Sequence, residues 1–352
     1  MQSDRVKLGF VGVGAMGQCA HLRNYCDLPV CDVVALAELR PKTGHAVAQR
    51  YGVERVYRSA EEMLASEPLD AIVASQPFDR HGVLLPQLLR AGKPIFIEKP
   101  LSSSPDAGQA ILGAVQTSGT WVMVGYHKRS DPACAYALET IRELRNSGEL
   151  GRMTYIRILM PAGDWVAGGF TCLINKGDAA PPLEREAATV DMDDETQRAY
   201  TTFVNYYIHQ INLLRFFLEE PYHVTYADPS GVMLAAESES GVPGVIEMSP
   251  YHTSIAWQES VLVCFERGYV KVELPAPLAL NRPGRVEVMR DPEHAANPDT
   301  TSPHLPWVHA MRQQAINFVA AVKGERPPVC SAAEALEDLR VARDYIRLLK
   351  GQ

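Results

Sequence analysis

Along the first 125 residues, short and mostly apolar runs, broken only by Lys7 in the first, alternate with longer stretches whose apolar residues recur every three or four positions. The short runs are 6–11, 33–37, 71–74, 95–97 and 121–124. Runs of that length with no polar side are the signature of strands buried on both faces, as in a parallel sheet. Between them the spacing predicts helices: one through Tyr25, one ending at Tyr51-Gly52, one over 61–65, one over 80–91 stopped by Gly92, and one over about 106–117. Strands alternating with helices in this way predict an α/β fold with a doubly wound parallel sheet.

Beyond residue 125 the rhythm changes. The pattern predicts a helix over 132–146, ended by Gly148, and a strand over 154–160. From 161 to 196 periodicity fails, and Gly163, Gly168, Gly169, Pro181 and Pro182 are loop residues. A loop this long inside a compact domain is usually functional or disordered. A helix is expected over 200–218, followed by strands over 224–227, 232–238, 244–248, 259–265, 269–274 and 286–289. Gly231, Gly241 and Arg267-Gly268 read as turns between these strands, so antiparallel meanders are expected. Helices over 307–322 and 332–349 close the chain, and no internal repeat is evident. At 352 residues the chain exceeds one ordinary core, and two domains are expected, over 1–125 and 126–352.

Composition narrows the function classes. Apolar residues make up 46% and charged residues 22%, which is ordinary for a globular chain. A formal net charge of -8 offers no basic face to track phosphates, so nucleic acid is not an expected partner. No apolar run is long enough to span a bilayer, and Met1 to Arg5 lead into a strand without a signal-peptide core. Seven cysteines without a CxxC pair suit reduced thiols filling the core of a cytoplasmic protein, with no metal site.

The chemistry begins at the first strand, which runs into Gly12-Val13-Gly14-Ala15-Met16-Gly17 and then a helix. A GxGxxG between a strand and a helix reads as a dinucleotide turn. Gly12 allows the tight turn, Gly14 the close approach of pyrophosphate, and Gly17 the packing of helix on strand. The helix start then offers N–H groups and a positive dipole end to the phosphates. Glu38 ends the next strand, twenty-one residues beyond Gly17, where a carboxylate accepts hydrogen bonds from the adenosine ribose. It favours NAD over NADP, although Arg40 nearby is a residue type that accommodates a 2′-phosphate.

The central strand is Pro94-Ile95-Phe96-Ile97-Glu98-Lys99-Pro100, with two charges appearing abruptly at its carboxyl end. Ligands of open α/β sheets sit beyond such ends, so Glu98 and Lys99 are site candidates, the alternative being a solvated charge pair closing a strand. Together with Ser75-Gln76-Pro77, His81, and Gly125-Tyr126-His127-Lys128-Arg129 before Asp131-Pro132, these residues resemble the Gfo/Idh/MocA family of oxidoreductases. The resemblance is sharpest through residue 132 and weaker beyond it. It implies a Rossmann domain followed by an α+β domain on a large, mostly antiparallel sheet. The family commonly uses the free face of that sheet for subunit pairing, so a homodimer or homotetramer is expected. It also implies that Gly12, Gly14, Ala15, Met16, Gly17, Glu38, Arg40, Gln76, Pro77, His81, Glu98 and Lys99 serve the cofactor, with Lys99 beside the nicotinamide and the reacting hydroxyl.

On the helix over 200–218, Asn205, His209 and Asn212 share one face amid aromatics, which argues for a cavity rather than core. Family members typically carry Asp-x-x-x-His-x-x-Asp there; His209 matches as the acid–base residue, while Asn205 and Asn212 put amides in place of carboxylates. The alternative for His209 is a hydrogen-bonded core histidine. Tyr126, Lys128 and Arg129 are candidates for fixing substrate, although the two cations read equally as surface charges. Asp164 and Trp165 offer either an aromatic platform for a sugar ring or a pin holding the loop. The expectation is an NAD-dependent oxidoreductase acting on a sugar, cyclitol or sugar derivative, with Lys99, His209 and Asn205 catalytic. Two alternatives stay open: an NAD-dependent lyase, epimerase or glycoside-cleaving enzyme using transient redox, and a catalytically silent NAD-binding sensor.

Overall fold

A computed structural model describes residues 5–187, 192–293 and 297–351. The stretch Met1 to Asp4, read above as leading into the first strand, and residues 188–191 of the long loop lie outside the described residues. The chain forms two compact units, and the first comprises Met1–Tyr126, Gly168–Asp193 and Gln314–Leu339.

Among the described residues, unit 1 holds a six-stranded sheet of β1 (Val6–Val11), β2 (Cys31–Ala37), β3 (Arg55–Tyr57), β4 (Ala71–Ala74), β5 (Ile95–Glu98) and β6 (Val122–Gly125). Every pairing is parallel and the order is β3-β2-β1-β4-β5-β6. The chain winds outward one way from β1 and the other way from β4, so a crevice opens beyond the strand ends between them. The apolar runs make these strands because they are covered on both faces: β4, β5 and β6 are buried along their whole length. β3 escaped the sequence reading because it is three residues long, with Arg55 exposed.

The helix after β1 starts as a wide turn over Gly17–Leu22 and becomes α1 (Arg23–Cys26). It is followed by α2 (Pro41–Tyr51), α3 (Ala60–Ser66), α4 (His81–Leu89) and α5 (Pro105–Ser118). Ser59 and Ser104 cap α3 and α5 by accepting from the Glu62 and Ala107 N–H groups. Gly52, which closes α2, has φ 71°, a value that costs a glycine little. The helix expected over 80–91 stops at Leu89; Ala91 and Gly92 turn their N–H groups back to Leu88 and Leu89.

Residues 168–193 and 314–339, which the sequence reading put with the second domain, cluster with unit 1. Phe318, on the helix Ala310–Val322, explains the latter segment: it is fully buried with its ring 5.7 Å from Phe96, 5.8 Å from Trp121 and 6.3 Å from Tyr25. The Val124 N–H also donates to the Cys330 carbonyl at 2.9 Å. The seven cysteines are free, and burial pushes Cys19 and Cys26 up to about 12 and Cys31 to about 11.

Unit 2 comprises His127–Ala167, Asp194–Gln313 and Arg340–Gln352. Its helices are α6 (Pro132–Ser147) and α7 (Asp194–Leu218). Its strands are β7 (Met153–Ala162), β8 (Tyr222–Ala227), β9 (Met233–Ser238), β10 (Pro243–His252), β11 (Ser260–Phe265), β12 (Gly268–Glu273), β13 (Arg285–Arg290) and β14 (Asp299–Thr301). Among the described residues they make an eight-stranded sheet in the order β14-β13-β12-β11-β7-β10-β9-β8, antiparallel except for the β7–β10 pair. One face, with Ile156, Ile158, Val261, Val263, Val270 and Val272, is buried. The other carries cross-strand polar pairs, Arg157 with Glu247 and Tyr269 with Glu287, and within β12 the pair Lys271 with Glu273.

α7 starts six residues before the expected position 200, because Asp194 and Glu195 suit the positive end of a helix. α8 (Ala310–Val322) begins after Pro306 and Trp307 rather than at 307, and Trp307 is 84% exposed. α9 (Ala332–Leu349) matches its expected range. β14 was missed because its three residues are all polar and exposed. No helix among the described residues is long and apolar enough to cross a membrane.

Candidate functional site

The glycine turn divides its three glycines by function. Gly12 has φ 88°, and a Cβ there would lie 1.9 Å from Gln76 Nε2 and 2.6 Å from the Ser75 carbonyl. A Cβ on Gly17 would lie 2.5 Å from the Gly12 carbonyl oxygen, so the helix packs directly on the turn. At Gly14 nothing lies within 4 Å of where a Cβ would stand. Open space beside the middle glycine, at the start of a helix that includes half-buried Ala15 and Met16, is the cradle that a pyrophosphate fits.

Glu38 follows β2 and is 6% exposed. Its Oε2 accepts from the Val13 N–H at 2.8 Å, and its Oε1 accepts from the Arg40 N–H at 3.0 Å. The Arg40 guanidinium closes on it through Nε at 2.8 Å and through a second nitrogen at 3.0 Å. Burial alone would push the Glu38 carboxyl up, but Arg40 and the two backbone donors hold it below the ordinary range. Arg40 is therefore committed to Glu38, with a further bond to the Val13 carbonyl at 3.2 Å.

At the end of β5, Glu98 is buried and Lys99 half-buried. Glu98 Oε1 bonds His21 Nε2 at 2.5 Å, and its Oε2 accepts from the Lys99 backbone N–H at 3.0 Å. Burial raises this carboxyl, yet His21 and Lys99 bring it below the ordinary value. Glu98 thus acts as a fixed anion that holds the backbone of Lys99. His81 is fully buried, and its Nδ1 donates to the Pro100 and Leu101 carbonyls, each at 3.1 Å, so it shapes the turn after Lys99. Burial holds its pKa below the ordinary histidine value. Gln76 accepts from Arg80 at 2.8 Å, while Pro77 is exposed before a single turn, Phe78–Arg80.

In unit 2, Lys128 and Arg129 are not surface charges; both are buried. Lys128 Nζ donates to Glu259 Oε1 at 2.5 Å, and Gln210 Nε2 donates to the same oxygen at 2.6 Å. Burial lowers the Lys128 pKa, with Glu259 opposing. Arg129 Nε donates to Asn212 Oδ1 at 2.7 Å, with the guanidinium 5.1 Å from the Phe216 ring centre. Asn212 is thus drawn into an arginine's hydrogen bonds. His209 is buried with the His127 ring edge-on at 4.5 Å, whereas Asn205, four residues earlier, is exposed. The three do not share one environment. Tyr126 is buried and closes unit 1.

Asp164 spends its carboxylate on its own turn, accepting from the Val166 and Ala167 N–H groups at 3.0 Å each. Trp165 is half-buried, and its carbonyl accepts from the Leu278 N–H at 3.2 Å, which pins the loop. Asp131 caps α6 through the Ala133 N–H at 2.8 Å and holds the Gly284 N–H at 3.0 Å; burial raises it to about 6.

Sequence reasoning missed His21, Gln210 and Glu259, and quoted His127 in its motif without giving it a role. His21 had a local signal, one helical turn beyond Gly17 on the face toward β5. Glu259 had none, since its partner Lys128 lies 131 residues away. Among the described residues no group of three or more His, Cys, Asp and Glu side chains is arranged to hold a metal.

Residues 6–126 match the family model described as "Oxidoreductase family, NAD-binding Rossmann fold". The chain is 26% identical over 289 residues to inositol 2-dehydrogenase of Rhizobium meliloti, covering 78% of each. It is 25% identical over 260 residues to scyllo-inositol 2-dehydrogenase (NAD(+)) of Bacillus subtilis, covering 70% of this chain and 67% of that protein. The solved structure of levoglucosan dehydrogenase in complex with NADH and levoglucosan has a similar fold, with TM-score 0.72 at 16% identity over 99% of this chain and 98% of that one.

Proposed function

The chain belongs to the Gfo/Idh/MocA family of oxidoreductases, and on that footing we propose that it is an NAD-dependent dehydrogenase acting on a hydroxyl or keto carbon of a cyclitol, sugar or sugar derivative. The observation that carries the reading is the crevice of unit 1. Gly14 leaves room for a pyrophosphate, a buried carboxylate ends β2, and a lysine braced by a buried glutamate ends β5. NAD, when bound, supplies the site that accepts or donates the hydride. Gly12, Gly14, Ala15, Met16 and Gly17 would hold its pyrophosphate, and Glu38, paired with Arg40, the adenosine ribose. Gln76, Pro77, His81 and Glu98 would shape the nicotinamide end.

The protein's own groups supply the rest. Lys99, as a cation, stabilises negative charge on the substrate oxygen as the hydroxyl proton leaves. His209 takes that proton, a role worth typically ~10²–10⁴-fold in rate. Asn205, an exposed amide apart from buried His209, would meet the substrate and exchange no proton. Tyr126 and Trp165 are assigned to the substrate; Lys128, Arg129 and Asp164 support it through the bonds described above. Unit 1, which adds 168–193 and 314–339 to the expected 1–125, would serve the cofactor, and unit 2 the substrate and pairing with a second copy of the chain.

The test is a thermal-shift screen of inositols, sugars and amino sugars with and without NAD(H). A ligand at 100 times its dissociation constant adds about 2.7 kcal/mol of stability. The reading predicts that a cyclitol or sugar raises Tm beyond the cofactor alone, and it fails if none does. A second reading, transient redox with no net NADH, is favoured by one observation: amides stand at both positions flanking His209, and one of them is held by Arg129. Product formed without absorbance at 340 nm would select it.

A further inference from the structure

Residues 168–187 run as a strap along unit 1. The Ile174 N–H and carbonyl bond both ends of the Gln18 amide, at 2.9 and 3.0 Å. Glu186 accepts from the N–H groups of Gly82 at 2.6 Å and Ser103 at 2.8 Å. Between these anchors the strap delivers Asp178 to the start of α2, after a turn in which Gly177, at φ 74°, donates to Asn175. The Asp178 carboxylate accepts from the Lys42 N–H at 2.7 Å, from the Thr43 N–H at 3.2 Å and from the Thr43 hydroxyl at 2.5 Å.

Arg40 precedes α2 as its cap residue, so Lys42 and Thr43 carry the helix's free N–H groups. The same turn lies against Glu38: a Cβ on Gly44 would stand 3.1 Å from Glu38 Cβ. A dinucleotide whose ribose hydroxyls meet Glu38 directs any 2′-phosphate toward this turn, where free N–H groups and an arginine would ordinarily receive it. In this chain both provisions are taken. Asp178 occupies the N–H groups, and Arg40 is tied to Glu38 while also feeling the Asp178 charge.

We propose that Asp178 is a specificity-determining residue of the cofactor site: its carboxylate fills the anion position at the start of α2, so a 2′-phosphate is rejected by charge and by occupancy. The proposal deepens the cofactor assignment above and rests on it for the location of the adenosine ribose beside Glu38. Selection against NADP then has two carboxylates, Glu38 on the strand end and Asp178 from a loop far along the chain.

The experiment is calorimetric titration of NAD+ and NADP+ into the full-length wild type, Asp178→Asn and Asp178→Ala, with folding checked by circular dichroism. Asp178→Asn keeps an acceptor for Lys42 and Thr43 and removes only the charge, so the strap stays docked. The expected result is NADP+ binding tightened about fivefold in Asp178→Asn and about tenfold or more in Asp178→Ala, with NAD+ within about twofold. Unchanged NADP+ affinity in both variants would overturn the proposal. So would a parallel loss of both cofactors, which would make Asp178 an anchor for the strap and nothing more. A wild type that prefers NADP+ would refute the NAD reading, while the shift between wild type and variants would still decide the role of Asp178.

Discussion

Gly14 and Gly17 sit three residues apart in one motif, and their surroundings predict opposite outcomes for the same substitution. At Gly14 a methyl group meets nothing within 4 Å, and φ lies outside the left-handed region. Gly14→Ala therefore strains nothing in the fold and removes backbone freedom from the unfolded chain, a gain of about 0.4–1 kcal/mol. Tm should hold or rise by up to about 4 °C. On the proposed reading that open space is where the pyrophosphate approaches the backbone, so a methyl there would displace the phosphate from the helix N–H groups. Losing one hydrogen bond to a charged group, about 2 kcal/mol, weakens NAD binding roughly thirtyfold. At Gly17 the added Cβ would stand 2.5 Å from the Gly12 carbonyl oxygen, an overpacked contact costing about 1–3 kcal/mol. Gly17→Ala should lower Tm. The assay is differential scanning fluorimetry of both variants with calorimetric titration of NAD+. Wild-type NAD+ affinity in Gly14→Ala would refute the pyrophosphate cradle, and a large loss of Tm in that variant would refute the claim of open space.

Lys128→Met should destabilise the protein by about 3–5 kcal/mol, because it strands the buried Glu259 carboxylate; a loss under about 1 kcal/mol in urea unfolding would contradict the buried pair. Asp131 has its pKa raised from 3.8 to about 6, so the folded state holds that proton more tightly than the unfolded chain does. Its contribution to stability should fall by about 3 kcal/mol as pH rises from about 3 to 7, through the unfolded and then the folded pKa, and stay lost above that. Asp131→Asn should lack this slope, and a difference between wild type and variant that does not vary over that range would refute it. On the proposed pairing through the sheet of unit 2, light scattering at micromolar concentration should give a dimer or tetramer; a mass of 38.8 kDa alone would contradict this.

Much of the fold was legible because burial leaves a local trace. The strands β4, β5 and β6 are buried along their whole length, so their apolar runs need no context to be recognised. Gly12 and Gly17 were readable because backbone crowding forces glycine at those positions. What escaped was set by contacts between distant residues. Residues 314–339 join unit 1 through Phe318, whose helical spacing is the same whichever core receives it. Lys128 reads as a surface charge until Glu259 is brought to it. Asp178 and Glu186 sit in a loop without periodicity, and their roles arise only from the helix starts they reach. The amides at 205 and 212 were legible as departures from the family pattern, but not that one would be exposed and the other held by Arg129.

The most direct measurement is the initial rate of NADH formation at 340 nm, with NAD+ and the cyclitol or sugar found by thermal shift, in wild type, Lys99→Met and His209→Asn. Wild type should yield one NADH for each keto product. Both variants should bind NAD+ normally, and Lys99→Met should lose on the order of 10²-fold or more in kcat and kcat/KM together. His209→Asn should lose rate with its acid–base limb of the pH profile displaced. Near-normal turnover in a folded Lys99→Met, or keto product appearing without NADH, would contradict the account.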